Sequence, residues 1–217
     1  CGVVNQTCSD IQSLGAQVIV VDDGGTMDDL RPTINTIRYV PNMGYGYALK
    51  QGIRKADTAF VLTMDSDGQH TVDDVKKLYT VFKLIDNCSM LVGCRWNLDE
   101  KPHRWIGRKM LNFLASLIAR HFLVDLNSGM RIFRRQLALD YEPILCDTFS
   151  FTTSLTMSLV TDGYKVAWFP IDVKQRCHGT SHVKLFRDGL ITLWFILWIG
   201  IALRTRKLRE WLRTAGQ

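Results

Sequence analysis

Two carboxylates and a carboxamide follow one short apolar stretch of this chain. Asp65, Asp67 and Gln69 come directly after the apolar residues 60–64. Side chains i and i+2 of an extended chain point the same way, so Asp65 and Asp67 can converge on one point. Paired carboxylates repel each other unless a cation lies between them, and oxygen ligands of this kind suit Mg²⁺ or Mn²⁺. The alternative is an ordinary acidic turn after a strand, since Asp and Gly are common turn residues.

A second apolar stretch that ends in acids strengthens the cation hypothesis. Residues 17–21 are apolar and mostly β-branched, which predicts a buried strand, and Asp22-Asp23-Gly24-Gly25 follow it. The carboxyl ends of parallel strands meet at the edge where open α/β sheets bind ligands. There Asp22 and Asp23 can accept hydrogen bonds from a base or a ribose hydroxyl. The alternative for this acidic region is that Asp28 and Asp29 merely cap the next helix.

The remaining sequence alternates predicted strands and helices. Helices are predicted at about 3–14, 45–56, 71–85, 110–119 and 150–161, and strands at about 38–40, 60–64, 90–93 and 166–171. This alternation predicts an α/β fold with a mostly parallel central sheet flanked by helices. Gly44 and Gly46, at the start of the second helix, predict either close approach to a diphosphate or tight packing on the sheet.

Basic residues gather in two places. Arg108 and its basic neighbours precede the apolar residues 110–119, a placement that opposes the helix dipole. An external anion explains these bases better than helix stability does; a solvated charged helix end is the alternative. Residues 175–184, which include Arg176 and Ser181, form a basic, hydroxyl-bearing loop suited to phosphate.

Composition limits the classes of partner. The 217 residues, 47% apolar and 22% charged, suffice for one domain with a sizeable core. A net charge of +6 and a pI of about 9.1 indicate an anionic partner. Nucleic-acid binding would account for this charge but not for acids at strand ends, so we predict no nucleic-acid partner. Six cysteines without a C-x-x-C pair predict reduced thiols in a cytoplasmic setting.

The C-terminal region differs in composition from the rest of the chain. Residues 189–203 are uncharged and rich in Trp, Leu, Ile and Phe, and five bases follow: Arg204, Arg206, Lys207, Arg209 and Arg213. Tryptophans and bases beside an apolar helix are typical of the cytoplasmic face of a bilayer. We therefore predict two units, 1–185 and 186–217, with the second membrane-associated and the active site on the cytoplasmic side. The apolar stretch is shorter than the roughly 20 residues of a spanning helix, so spanning and surface-lying arrangements both stay open. A buried core helix is the alternative.

Five short motifs occur in a recognisable order between about residues 15 and 184. They are Asp22-Asp23-Gly24-Gly25, Asn42-x-Gly44-x-Gly46-x-Ala48, Asp65-x-Asp67-x-Gln69-His70, Ser128-Gly129-x-Arg131 and Arg176-x-x-Gly179-x-Ser181. Each motif is weak alone, but together they resemble a family 2 glycosyltransferase of the GT-A fold, most like the polyprenyl-phosphate (dolichyl-phosphate) mannosyl- or glucosyltransferases. The resemblance implies metal-dependent, inverting transfer of mannose or glucose from GDP-mannose or UDP-glucose to a polyprenyl phosphate.

The resemblance also implies roles for individual residues. The nucleotide sugar would contact Asp22, Asp23, Gly44, Asp65 and Asp67. Mg²⁺ or Mn²⁺ on the donor diphosphate would be held by Asp65, Asp67 and Gln69. The acceptor phosphate would be held by Ser128, Arg131, Arg176 and Ser181, with Arg95 and Arg108 as weaker candidates. The catalytic residues would be Asp67, Arg131 and Arg176.

The chain also departs from the family pattern. The family's first strand, which carries further nucleotide contacts, is expected to be missing, and a sheet without it would expose an unpaired edge or a gap. Gly25 stands where serine is usual, Thr71 where proline is common, and His182 where lysine follows the serine of the last motif.

The kind of acceptor depends on whether a general base is present. Many related transferases place an acid at the start of the later helix, where this chain has Ser154, although Asp147 and Asp162 lie nearby. An alcohol needs such a base, typically worth about 10²–10⁴-fold, whereas a phosphate monoester with a second pKa near 6 is already largely dianionic. The sequence therefore favours a phosphate acceptor. Two alternatives stay open: a family 2 transferase acting on a sugar or protein hydroxyl, and a catalytically silent, membrane-bound nucleotide-binding protein.

Overall fold

A computed structural model of the chain describes residues 2–25, 27–95, 102–173 and 185–215. The strands are β1 (Ile19–Asp23), β2 (Asn35–Tyr39), β3 (Phe60–Thr63), β4 (Met90–Arg95), β5 (Arg131–Arg134) and β6 (Val166–Ile171). The helices are α1 (Gly2–Gln12), α2 (Tyr45–Lys55), α3 (Val72–Leu84), α4 (Pro102–Ala119), α5 (Arg135–Tyr141), α6 (Phe151–Thr161) and α7 (Leu185–Ala215). One turn of 3₁₀-helix, Glu142–Ile144, follows α5. Most predicted strands and helices are thus confirmed to within a few residues, but α4 begins at Pro102 rather than near residue 110, and neither β5 nor α5 was predicted.

The larger sheet is mixed, with one strand antiparallel to the other three, so the prediction of a mostly parallel sheet is confirmed only in part. Strands β1 and β2 form a parallel pair, and a separate four-stranded sheet has the order β3-β5-β4-β6. Strand β5 runs antiparallel to both of its neighbours, while β4 and β6 are parallel. Strand β5 could not be predicted, because its two apolar residues, Ile132 and Phe133, are flanked by arginines and lack a strand-length apolar pattern.

The direction of β5 determines what lies at the ligand edge of the sheet. Thr63, the last residue of β3, pairs with Arg131, the first residue of β5, and Val92 of β4 also pairs with Arg131. At the other side of β4, Arg95 pairs with Ile171, the last residue of β6. The ends of β3, β4 and β6 and the beginning of β5 therefore share one edge.

The core is divided by the four-stranded sheet. Met90, Val92 and Phe133 pack on one side with α2, α4, α5, α6 and α7, and Leu91 and Ile132 pack on the other side with α3. This division follows from the period-two alternation of side chains along β4 and β5. The four cysteines of the described residues, Cys8, Cys88, Cys94 and Cys146, are buried free thiols.

Helices α3 and α6 border the ligand edge. Helix α3 begins with a capping box, in which Thr71 Oγ1 accepts from the Asp74 N–H and the Asp74 carboxylate accepts from the Thr71 N–H. Thr71 thus performs a local task that proline at this position cannot. Helix α6 is buried along its whole length from Phe151 to Val160.

Helix α7 is packed into the domain rather than separated from it. Its inward residues Ile196, Ile199 and Leu203 belong to the large core, and Thr192 Oγ1 lies 2.9 Å from Ser150 Oγ at the start of α6. The predicted boundary between 1–185 and 186–217 coincides with the first turn of α7, but the helix shares its core with α4 and α6. Within the described residues, no helix has the length and apolarity needed to cross a membrane.

Candidate active site

The carboxylate of Asp65 is fixed from two sides. Asp65 lies just beyond the end of β3, and Tyr45, the first residue of α2, donates a hydrogen bond from its hydroxyl to Asp65 Oδ1 at 3.1 Å. On the other side, a Cβ on Gly129 would lie 2.5 Å from Asp65 Oδ2 and 2.6 Å from Oδ1, so only glycine leaves the carboxylate in this place. Thr63 Oγ1 ties the same segment to the sheet by donating to the Gly129 carbonyl at 2.8 Å.

Asp67 and His70 complete the loop that follows β3. Asp67 Oδ1 accepts a hydrogen bond from the Gln69 N–H at 3.1 Å, which is a local Asx turn. His70 is 7% exposed, and its Nδ1 has no hydrogen-bond partner within the described residues. Burial lowers the pKa of His70, although the nearby carboxylates of Asp65 and Asp67 act in the opposite direction. Both carboxylates therefore lie within electrostatic reach of one buried imidazole.

The donor chemistry of this loop fits a divalent cation. Asp65 and Asp67 supply carboxylate oxygens and Gln69 an amide oxygen, which are ligands suited to Mg²⁺ or Mn²⁺. The space left by the absent side chain of Gly129 holds the Asp65 carboxylate at the sheet edge. Within the described residues, no three His, Cys, Asp or Glu side chains gather into a ready-made metal site. Asp65, Asp67 and Gln69 as the protein's ligands therefore stay a prediction, and other oxygens would have to complete the shell.

Asp22 and Asp23 have protein partners in this structure. Asp22 is 2% exposed, and it accepts from the Met27 N–H and forms an ion pair with Arg38 at 2.9 Å. Asp23 accepts from the N–H groups of Met43 and Gly44 at 2.6 and 2.7 Å. Both acids hold the loops around the end of β1. Their expected contact with the nucleotide is therefore an untested prediction that the present hydrogen bonds do not favour.

The glycines before α2 are explained by packing on a neighbouring loop. Gly44 has a φ of 111°, and a Cβ there would lie 2.6 Å from the Asp147 carbonyl oxygen; at Gly46 it would lie 2.2 Å from the Cys146 carbonyl oxygen. The Tyr47 N–H donates to the same Asp147 carbonyl at 3.0 Å. The prediction was close approach to a diphosphate or tight packing on the sheet, whereas the close neighbour is the backbone at 146–148. Because the Gly44 N–H already donates to Asp23, its expected contact with the donor is not supported by this geometry.

Arg131 is a buried structural residue in this conformation. It is 0% exposed, and its five N–H groups donate to the carbonyls of Leu126, Ser128 and Thr152 and to Thr156 Oγ1. Burial lowers the pKa of its guanidinium to about 10. No donor is left for an acceptor phosphate, so the expected phosphate-binding and catalytic roles of Arg131 need correction: its contacts are those of a scaffold. Ser128 is also fully buried, and its Oγ has no hydrogen-bond partner within the described residues.

Arg95 and Arg108 lie around a second buried acid, Asp125. Arg95, the last residue of β4, donates from Nε and Nη2 to the two Asp125 carboxylate oxygens, each at 2.8 Å. Burial alone would raise the pKa of Asp125, but the hydrogen bonds and charge of Arg95, with a smaller contribution from Arg108, bring this pKa below its usual value. Arg95 also influences Tyr45 and His70 electrostatically. The structure thus brings Arg95 near the acidic loop, with Arg108 near Asp125.

Two predicted residues, Arg176 and Ser181, lie outside the described residues. Conversely, sequence analysis gave no role to Tyr45 or His70, although both approach Asp65. His70 stood in a recognised motif, whereas the hydroxyl of Tyr45 reaches an acid twenty positions away, a contact that no local pattern reveals. A cavity of about 380 Å³ beside α2 shares no lining residue with this site; Tyr47, Lys50, Arg54, Glu142 and Asp147 are among its walls.

The fold and the site define a class of protein. A mixed α/β sheet presents two carboxylates suited to a cation on the loop after β3, with arginines across the same edge. Oxygen ligands and arginines at one sheet edge are chemically suited to a divalent cation and an anionic molecule. A family model described as glycosyl transferase family 2 matches residues 3–141, and the chain therefore belongs to this family.

Curated relatives agree with this assignment. An uncharacterised protein of Methanocaldococcus jannaschii is 31% identical over 149 residues, covering 63% of this chain and 61% of that protein. A UDP-N-acetylglucosamine–dolichyl-phosphate N-acetylglucosaminyltransferase of Methanococcus voltae is 30% identical over 107 residues, covering 46% of this chain and 42% of that enzyme. An uncharacterised glycosyltransferase of Mycobacterium tuberculosis is 26% identical, with 85% of each chain covered. The chain thus spans less than two thirds of the first two relatives.

Solved structures show the same fold. Glucosyl-3-phosphoglycerate synthase of Mycobacterium tuberculosis, in complex with Mn²⁺, UDP-glucose and phosphoglyceric acid, matches with a TM-score of 0.69 at 15% identity over 91% of this chain and 75% of that chain. Another mycobacterial protein matches with a TM-score of 0.71, also at 15% identity, over 91% of this chain and 70% of that chain. At such low identity the likeness establishes the fold alone, which is of the GT-A type.

Proposed function

We propose that the protein transfers a hexose from a nucleotide-diphosphate sugar to a polyprenyl phosphate with inversion, in a reaction that depends on Mg²⁺ or Mn²⁺. The observation that carries this proposal is the first turn of α6, which lies beside the candidate site and contains no acidic residue. Thr152 at this turn accepts from Arg131, and Thr153 donates to Asn127. A hydroxyl acceptor requires a base at such a place, whereas a phosphate dianion does not.

Asp147 and Asp162, the two acids nearest to this turn in sequence, interact with other side chains. Asp147 forms an ion pair with Lys50 at 2.6 Å and is more than half exposed. Asp162 follows the other end of α6 and accepts a hydrogen bond from the Tyr141 hydroxyl. Ser154, at the position where related transferases have an acid, donates to the Phe151 carbonyl at 2.8 Å. These partners disfavour each of the three as a general base.

An acceptor phosphate needs cations, and the edge of the sheet offers them. Arg95 at the end of β4 and Arg108 on α4 are the proposed contacts among the described residues. Strand β6 ends at Ile171, the pairing partner of Arg95, and the chain continues from there toward Arg176 and Ser181. This connectivity supports the proposal that all four residues serve the acceptor phosphate.

The metal would be held by Asp65, Asp67 and Gln69, and it would stabilise the negative charge of the departing nucleoside diphosphate. The hydroxyl of Tyr45 and the Cα of Gly129 keep the Asp65 carboxylate in one orientation. His70 lies buried behind both carboxylates. The chain's own contribution is thus the fixed placement of oxygen ligands at the sheet edge.

The name of the Methanococcus voltae relative supports a lipid-phosphate acceptor. We propose GDP-mannose or UDP-glucose as the donor. The same name makes UDP-N-acetylglucosamine a third candidate donor. The proposed place of action is a membrane surface on the cytoplasmic side. A small phosphorylated hydroxyl acceptor is the second candidate, because a protein of the same fold was solved with phosphoglyceric acid.

The test is an incubation of the complete protein with each labelled donor, Mg²⁺ or Mn²⁺, and either polyprenyl phosphate or 3-phosphoglycerate. We expect metal-dependent label in the organic phase with polyprenyl phosphate. Label that appears only in an aqueous product of 3-phosphoglycerate would replace the proposal by the second candidate. Without transfer to either acceptor by the folded protein, the proposed function is wrong. Asp67→Asn is the control, and it should abolish transfer.

A further inference from the structure

Helix α4 exposes an apolar stripe to solvent. Ile106, Met110, Phe113 and Leu117 are 58, 57, 66 and 65% exposed, and their spacing of four, three and four residues places them on one helical face. On the opposite face, Ala115 and Ala119 are buried in the core. The inward face thus holds the helix in the domain, and the stripe plays no part in that packing.

Helix α7 repeats this arrangement. Leu190, Trp194, Leu197 and Ile201 are 55, 56, 48 and 64% exposed with the same spacing, while Ile196, Ile199 and Leu203 face the core. Trp198 stacks on Trp194 with ring centroids 6.1 Å apart. A second stripe of large apolar side chains is therefore open to solvent.

The two stripes lie on the same side of the molecule. Helices α4 and α7 touch each other at Gly200, where a Cβ would lie 2.5 Å from Ile118 Cγ2, and both pack against the buried helix α6. Because each stripe is opposite the buried face of its own helix, both face away from α6. We call the residues of the two stripes the α4/α7 face. Monomeric soluble proteins rarely leave so large an apolar surface uncovered.

We infer that the α4/α7 face docks on an anionic lipid bilayer, with both helices lying in the plane of the headgroups. The charge of these helices selects this partner. Helix α4 has no acidic residue in its sequence, and the exposed Lys109 lies 5.9 Å over the ring of Trp105. The sequence of α7 continues beyond Ile201 with a run rich in arginine. Apolar stripes with tryptophan and flanking bases are what interfacial helices present to acidic lipids.

A second copy of the chain is a poorer occupant of this face. Two-fold pairing would bring the same bases of two subunits toward each other, because such an interface uses one patch twice. Lysine is also depleted at protein interfaces relative to the rest of the surface. A bilayer with anionic headgroups has the complementary charge along its whole surface.

Docking in this way would hold the enzyme at the membrane that contains a lipid-phosphate acceptor, a consequence that rests on the proposed function. Ser150, at the start of α6, is hydrogen-bonded to Thr192 of α7. Its neighbour Phe149 stacks on Tyr45 with ring centroids 5.5 Å apart, and Tyr45 donates to Asp65. A few contacts thus connect the inward face of the docked helix to the loop that carries Asp65.

Vesicle flotation of the complete protein tests the inference. The vesicles contain phosphatidylcholine with phosphatidylglycerol, or phosphatidylcholine alone, and the variants are Phe113→Glu, Leu197→Glu and the double variant. Since burial of one such side chain contributes about tenfold or more to partitioning, the double variant should bind the anionic vesicles about a hundredfold more weakly. The matched control is Leu84→Glu on α3, where the leucine is 77% exposed outside the face; it should bind like the unaltered protein.

Lys109→Glu tests the charge separately, and should weaken binding to anionic vesicles but not to neutral ones. Unchanged vesicle binding in the double variant would overturn the inference. The inference would also be overturned if the double variant lost only an oligomeric state and kept its vesicle binding, because a second copy would then cover the face. Transfer to a short, water-soluble isoprenyl phosphate without vesicles separates the two proposals. If the unaltered protein binds vesicles but transfers to no phosphate, the proposed function fails and the docking face stands.

Discussion

Gly129→Ala should separate folding from chemistry in this protein. The new methyl group would lie 2.5 Å from Asp65 Oδ2, well inside ordinary van der Waals contact, so the carboxylate must retreat by nearly an ångström. The methyl group meets the free end of a short side chain rather than backbone, and a turn of that side chain away from its present orientation costs about 1 kcal/mol. Loss of chain entropy in the unfolded state offsets much of this cost, so we expect the melting temperature to change little.

Chemistry should respond much more strongly to the same change. A displacement of about 1 Å in a group that positions the reacting atoms reduces the rate by about a hundredfold. We expect weaker Mn²⁺ binding, measured by electron paramagnetic resonance, together with a rate of sugar transfer lowered by about that factor. Gly107→Ala is the matched control, because nothing lies within 4 Å of its added Cβ. If Gly129→Ala bound Mn²⁺ and transferred sugar as the unaltered protein does, Asp65 would not be a metal ligand.

Three further substitutions test the scaffold of the site. Arg131→Met should reduce the free energy of unfolding, measured in urea, by more than about 3 kcal/mol, because several buried acceptors lose their donors. A variant with unchanged stability and only a raised KM for the acceptor would contradict this. Asp125→Asn should cost about 3 kcal/mol, because the mostly buried Arg95 loses its paired charge, and unchanged stability would refute the importance of that pair. Thr71→Ala should cost about 1 kcal/mol through the lost cap of α3; Thr71→Ser is its control and should retain most of the stability.

The Asp125 pair also predicts a pH dependence. The folded state lowers the pKa of this carboxyl, so its contribution to stability is complete above the unfolded pKa of about 4 and is lost as the pH falls through the folded value. Urea unfolding followed from neutral to acid pH should therefore show a steeper acid limb for the unaltered protein than for Asp125→Asn. Equal acid limbs would contradict the assignment.

Local sequence signals predicted the elements well where one residue decides the local geometry. The capping threonine and acidic first turn of α3 mark the beginning of that helix, and the apolar strand before Asp65 places the acidic loop at a sheet edge. The glycines before α2 indicated that something approaches closely there, although the loop at 146–148 was not the partner expected. These features depend on neighbours in sequence, so they could be inferred without tertiary structure.

The partners of the polar residues could not be inferred in this way. The spacing Ser128-Gly129-x-Arg131 is compatible with an exposed phosphate-binding arginine and with a buried one, and only the packing of α6 against β5 decides between them. Asp23 likewise faces the N–H groups of Met43 and Gly44 because β1 ends beside that loop. Charge and spacing indicated a candidate region, but burial determines which of its residues have hydrogen-bonding groups available to a ligand.

The complete burial of α6 has a consequence for how the protein moves. Every residue from Phe151 to Val160 is enclosed by its neighbours, so its amides can exchange hydrogen with solvent only when much of the domain opens. Helix α6, whose first turn lies beside the candidate site, is thus expected to be among the slowest parts of the chain to exchange its amides. If the proposed donor binds at the sheet edge, we expect the rearrangements that admit it in the loops around the site rather than in α6.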